Sequence, residues 1–140
     1  HGVGFFDWDE RLKDPQTKAM KGWYTREHPE QMENLRVVVK ELHSLEHVLL
    51  APNTERQPTL QPANPALHAV VKEANGQRFL LVASDSRRAE ETTLKFAGVA
   101  DATARCLGDA GTNAPLLISN GEVKLKLPPL GAAVYELKPR

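Results

Sequence analysis

A chain of 140 residues, 41% of them hydrophobic, holds material for about one modest domain with a real core. Its 18 Lys and Arg balance its 18 Asp and Glu, and a formal net charge of zero gives no electrostatic basis for binding nucleic acid or an anionic membrane surface. No apolar run approaches the roughly 20 residues of a membrane span, and the single cysteine, Cys106, excludes an internal disulfide while leaving the compartment open, a periplasmic or secreted parent included.

The first segment, Gly2-Val3-Gly4-Phe5-Phe6-Asp7-Trp8-Asp9, is a strand-like apolar run with no partner strand nearby, and it reads as the start of a fragment. From Pro29 the pattern becomes helical. Pro29 suits the first helical position, and Glu30 and Glu33 place negative charge in the first turn, where the helix dipole favours it. Leu35, Val38, Val39, Leu42, Leu45 and Leu49 recur at three- and four-residue steps, which predicts one long helix over 29–50 with a single apolar stripe. Pro52, Pro58, Pro62 and Pro65 then end the helix and form a stiff connector that cannot join a sheet interior. The expected organisation is therefore a helical segment in 1–52, a proline-rich linker in 53–66 and a β domain in 67–140.

Beyond Leu67 the period changes to two. Runs at 67–73 and 78–84 flank Asn75-Gly76, the strongest short hairpin signal, and runs at 116–119 and 122–127 flank Asn120-Gly121 in the same way. In the latter, Val123, Leu125 and Leu127 alternate with Glu122, Lys124 and Lys126, as one buried and one wet sheet face require. Further runs at 92–96, 103–107 and 132–137 bring the count to about seven strands. The fold class is mainly β, a small antiparallel sandwich preceded by the helix.

Other constellations read as structural. His43 and His47 stand four apart, a metal-compatible spacing, yet they lie off the leucine stripe with no third ligand adjacent, so they read as solvated surface. Cys106 has no supporting nucleophile pattern and reads as a buried structural residue. Arg87-Arg88 and Glu90-Glu91 read as wet loop residues, and Gly108-Asp109-Ala110-Gly111 reads as a turn, since no helix follows to make it a phosphate cradle. No metal and no cofactor is expected.

The aromatic run at Phe5-Phe6, the Tyr24-x-x-x-His28-Pro29-Glu30 linker and the helix end Glu41-Leu42-x-x-Leu45-x-x-Val48-Leu49-Leu50 resemble the end of the catalytic barrel in bacterial glycoside hydrolases of the clan A type, β-galactosidase-like enzymes included. The strand Ala69-Val70-Val71-Lys72, Asn75-Gly76, the run Phe79 to Ser84 and the closing Leu127-Pro128-Pro129-Leu130-Gly131 to Leu137 are similar to the small β-sandwich that follows that barrel. The resemblance implies that the first segment is the eighth strand of a (β/α)8 barrel. Hydrolysis by a retaining enzyme needs two carboxylates about 5 to 5.5 Å apart. In the family these sit at the ends of the fourth and seventh strands, which would place both upstream of His1, so the resemblance implies no catalytic residue in this chain and no hydrolysis by it alone.

The resemblance also gives candidate substrate contacts. Trp8 matches the aromatic near the end of the eighth strand that stacks on the sugar, and Asp7 and Asp9 would accept hydrogen bonds from sugar hydroxyls. Barrel core for Phe5, Phe6 and Trp8, and a loop start for the acids, is the competing reading; Trp23 and Tyr24 either rim the cleft or pack at the helix entry. The implied partners are a carbohydrate substrate in the intact parent and the upstream barrel, with no nucleic acid and no membrane; the apolar helix face is a candidate for self-association. Two other readings compete: a non-catalytic carbohydrate-binding or interaction module, and the terminal domain of an α-amylase-like enzyme.

Overall fold

The computed structural model of the chain describes residues 29–107 and 115–140. The chain divides between Glu46 and His47 into two units. In the first, helix α1 spans Pro29–Ser44, opens on Glu30 in its first turn and closes on His43 in its last. Val37, Val38 and Val39 are 56%, 44% and 47% exposed, while Leu35 and Leu42 are half-buried.

The long helix expected over 29–50 is not formed. After α1, Leu45 leaves the helix, and a single turn, α2 (Glu46–Leu49), follows. At the break the Ser44 hydroxyl donates to the Glu41 carbonyl at 2.7 Å, the acceptor that the Leu45 N–H also uses at 3.1 Å. A serine that bonds back along a helix in this way competes with the backbone ladder and bends it. The chain then tightens further, with Ala51 N–H donating to Val48 O at 3.2 Å.

The second unit is a sandwich of two antiparallel sheets. Its strands are β1 (Thr59–Gln61), β2 (Leu67–Ala74), β3 (Gln77–Ser84), β4 (Glu90–Lys95), β5 (Ala102–Cys106), β6 (Leu116–Ile118), β7 (Glu122–Leu127) and β8 (Ala132–Pro139). One sheet has the order β1-β4-β7 and the other β2-β3-β8-β5-β6. The seven runs read from the sequence all form strands, with β1 as an addition from the proline-rich segment. Flanked by Pro58 and Pro62, β1 takes a sheet edge, the place where a neighbouring proline's missing N–H is tolerated. Glu90 and Glu91, read as loop residues, begin β4: Glu90 accepts bonds from Asn64 Nδ2 (2.9 Å) and Ser86 Oγ (2.6 Å), and Glu91 pairs with Lys126 at 2.9 Å.

The core lies between the sheets. Leu94, Val123, Leu125 and Leu127 face it from the three-stranded sheet, and Val71, Leu80, Val82, Ala104, Ile118, Tyr135 and Leu137 from the five-stranded one. In β7 the alternation is complete, with Val123, Leu125 and Leu127 buried and Glu122, Lys124 and Lys126 exposed. Those outward lysines also guard β7, which is an edge strand.

The two Asn-Gly turns do different work. Asn75 and Gly76 have φ of 52° and 74°, the positive values of a two-residue type I′ turn, and they join β2 to β3 in one sheet. Asn120 and Gly121 have nearly the same angles, yet the strands they join belong to different sheets and share only the Ser119–Glu122 bridge. This turn is therefore a corner between layers, rather than the tip of the extended hairpin the sequence predicts. It is stitched to the β4–β5 connection: Gly121 N–H donates to Ala100 O at 2.6 Å, Phe96 N–H donates to Gly121 O at 2.7 Å, and Asn120 N–H donates to Asp101 Oδ1 at 3.0 Å.

Among the described residues, one core group is unsatisfied. Thr92 faces inward from β4, and its Oγ1 is buried without a hydrogen-bond partner. Valine has nearly the same shape and no hydroxyl to desolvate, so Thr92→Val is expected to raise unfolding free energy by about 1 kcal/mol, read as a shift of the urea midpoint at constant slope. A fall of similar size would mean that the hydroxyl has a partner in solution.

Candidate functional site

A cleft of about 520 Å³ opens in the second unit, between the segment 52–58, the ends of β2 and β3, and the connection after β4. Its shape depends on how the proline-rich segment is held against the free edge of β2. Pro52 O accepts from Glu73 N–H at 3.3 Å, and Thr54 N–H donates to Val71 O at 2.9 Å. Gln57 then folds its side chain onto the same residue: Oε1 accepts from Val71 N–H at 2.8 Å, and Nε2 donates to Val71 O at 3.0 Å and to Thr54 O at 2.6 Å. The side-chain amide thus does for Val71 what the peptide of a neighbouring strand would do, and it satisfies an edge that would otherwise stand open.

With the segment so fixed, Arg56 lies against Gly98. Gly98 has φ of 82°, and a Cβ placed there would come within 2.8 Å of Arg56 Nη1, so the bare glycine is what makes room for the guanidinium. Across the cleft Arg78 Nε stands 3.5 Å from Glu73 Oε2, both side chains about half exposed. A pair so open to water contributes at most about 1 kcal/mol. Phe96, half-buried, supplies the apolar part of the lining together with Val71, Val99 and Leu137. The cleft thus offers two guanidinium groups, two carboxylates, Glu55 and the Glu73 tied to Arg78, and one aromatic side chain.

A second polar group lies on the outer face of the five-stranded sheet. Lys72, Phe79, Glu136 and Arg105 stand in one row across β2, β3, β8 and β5. Lys72 Nζ donates to Leu49 O (3.0 Å) and Ala51 O (2.7 Å), capping the carbonyl end of α2. His47 meets the Phe79 ring edge-on at 6.0 Å. Glu136, only 6% exposed, accepts from Arg105 Nε at 3.2 Å and Nη2 at 2.8 Å. Every charge in this row has a partner, so it organises the sheet surface and holds no free reactive group.

The sequence candidates are distributed as follows. Trp8, Asp7 and Asp9, with Trp23 and Tyr24, lie outside the described residues, as does the 108–111 turn. His43 is exposed, 3.3 Å from Glu46, and His47 is likewise exposed. The two lie in different helical elements, and among the described residues no cluster of three metal-ligating side chains occurs. Cys106 is half-buried against the core. No helix among the described residues is long and apolar enough to cross a membrane. Gln57 and Arg56, which build the cleft, carry no signal in the sequence: they sit in a segment whose prolines say only that it is a connector. Comparison with protein-family models, curated proteins and solved structures gives no match.

Proposed function

We propose that this chain is the carboxyl-terminal part of a glycoside hydrolase of the clan A, β-galactosidase-like type. In this reading the sandwich supports a catalytic barrel, and Trp8, Asp7 and Asp9 contact the sugar in the intact parent. The observation that supports the proposal is the run Val37, Val38 and Val39 on α1, each more than 40% exposed. Apolar side chains exposed around a helix are surface that further barrel elements would cover. The reading as a sugar-binding module has less support, because such modules need exposed aromatics in a row. Phe79 and Tyr135 are 3% and 2% exposed, and Phe96 is half-buried.

The test is kinetic. The 140-residue chain alone is expected to give no turnover of aryl glycosides at any pH, since a general acid and a nucleophile must both be supplied from upstream. A protein extended upstream is expected to hydrolyse them. In that protein Trp8→Ala should lower kcat/KM by about tenfold or more through lost positioning of the sugar, with the sandwich still folded by circular dichroism. Turnover by the isolated chain would overturn the proposal, and unchanged kinetics for Trp8→Ala would make the ring core or loop only.

A further inference from the structure

We propose that Asn75 is a site of spontaneous, structure-selected deamidation, and that Asn120, also followed by glycine, is protected by its fold. The chemistry is intramolecular. The Gly76 backbone nitrogen loses its proton to base and attacks Asn75 Cγ; the new C–N bond closes a five-membered imide, the Cγ–Nδ2 bond breaks, and ammonia leaves. Water then opens the imide at either carbonyl, giving aspartate or isoaspartate. No oxidant, metal or enzyme is required, only a nucleophilic nitrogen that is unoccupied and a main chain free to rotate toward the side chain.

The turn at 75–76 meets both conditions. Asn75 and Gly76 are exposed, Gly76 N–H donates no hydrogen bond, and nothing lies within 4 Å of the position a Gly76 Cβ would take. Rotation there disturbs no packing. At 120–121 the same dipeptide is locked. The nucleophile itself is engaged, with Gly121 N–H bonded to Ala100 O at 2.6 Å, and Gly121 O accepts from Phe96 N–H at 2.7 Å. The carbonyl oxygens of Val99 and Phe96 stand 2.8 and 3.0 Å from where a Gly121 Cβ would be, so the backbone has no space in which to turn. Asn120 N–H is held by Asp101 as well.

The modification has a structural consequence. Aspartate followed by glycine still suits a type I′ turn, but isoaspartate adds a methylene to the main chain, and a two-residue turn pairing Ala74 with Gln77 cannot absorb it without losing register. Glu73 and Arg78, the next register pair, line the cleft, so the change is transmitted to its wall. Either product also adds one negative charge to a chain whose formal net charge is zero.

The test is to hold the full chain at mildly alkaline pH, folded in one sample and in denaturant in another, and to follow each asparagine by peptide mapping with mass spectrometry. In the folded sample conversion at Asn75 is expected to exceed that at Asn120 by about tenfold, the factor that corresponds to about 1.4 kcal/mol. In denaturant the two rates should converge, because both sites are followed by glycine. A ratio near one in the folded chain, a faster Asn120, or a ratio that denaturant leaves unchanged would overturn the proposal.

Discussion

Leu80→Ala is expected to lower the unfolding free energy of the sandwich by about 3 to 4 kcal/mol, the middle of the range for leucine truncation in a packed core. Leu80 is 0% exposed on β3, and its register neighbours Val71 on β2 and Tyr135 on β8 face the same core, at 5% and 2% exposure. Both flanking strands are fixed by their own hydrogen-bond ladders, so the space left by the side chain cannot close by a simple shift of one element. The cost then contains the lost transfer free energy and most of the cavity term. Leu81, one residue on and facing the other side of the sheet, is only half-buried; Leu81→Ala should cost about 1 kcal/mol, since little apolar area leaves water there. Urea titrations of both variants check this, with the midpoint falling much further for Leu80→Ala at similar slope. A loss below about 1 kcal/mol for Leu80→Ala would mean that the two sheets do not close over this residue.

Which side chains face inward was legible in the sequence where apolar and charged residues alternate. Val123, Leu125 and Leu127 alternate with charged residues because each side chain's face is fixed by its own place in the pleat, and the structure returns the same alternation. The break in the helical region was not legible, since the leucine stripe continues through it; at that place the Ser44 hydroxyl bonds back to the Glu41 carbonyl, a choice that periodicity does not record. The edge strand β1 was missed because three residues between two prolines give no period to count. Its pairing partner β4 lies far along the chain and nothing in Thr59-Leu60-Gln61 announces it. The cleft was invisible for the same reason: it depends on Gln57 reaching Val71 across the chain, and on Arg56 finding a glycine at 98. Long-range pairing of polar groups has no short-range signature.

The two Asn-Gly pairs carry this point to a measurement, because in sequence they are identical and in structure they are not. Gly76→Ala is expected to cost about 1 to 2 kcal/mol, the penalty for placing a Cβ in the left-handed region, with no further term because the surrounding space is open. Gly121→Ala carries the same backbone penalty at the same φ of 74°, and adds a methyl group within 2.8 Å of Val99 O and 3.0 Å of Phe96 O. These are backbone atoms, and they cannot swing aside as the end of a long side chain would. Relief requires the 96–101 connection to move, which strains the bonds from Phe96 N–H to Gly121 O and from Gly121 N–H to Ala100 O. The total for Gly121→Ala is therefore expected to reach about 3 to 5 kcal/mol. Urea unfolding of the two variants gives the difference directly. Equal losses would mean that the corner between the sheets yields as freely as the hairpin tip, and the stitching of Gly121 to Phe96 and Ala100 would then contribute nothing to holding the two layers together.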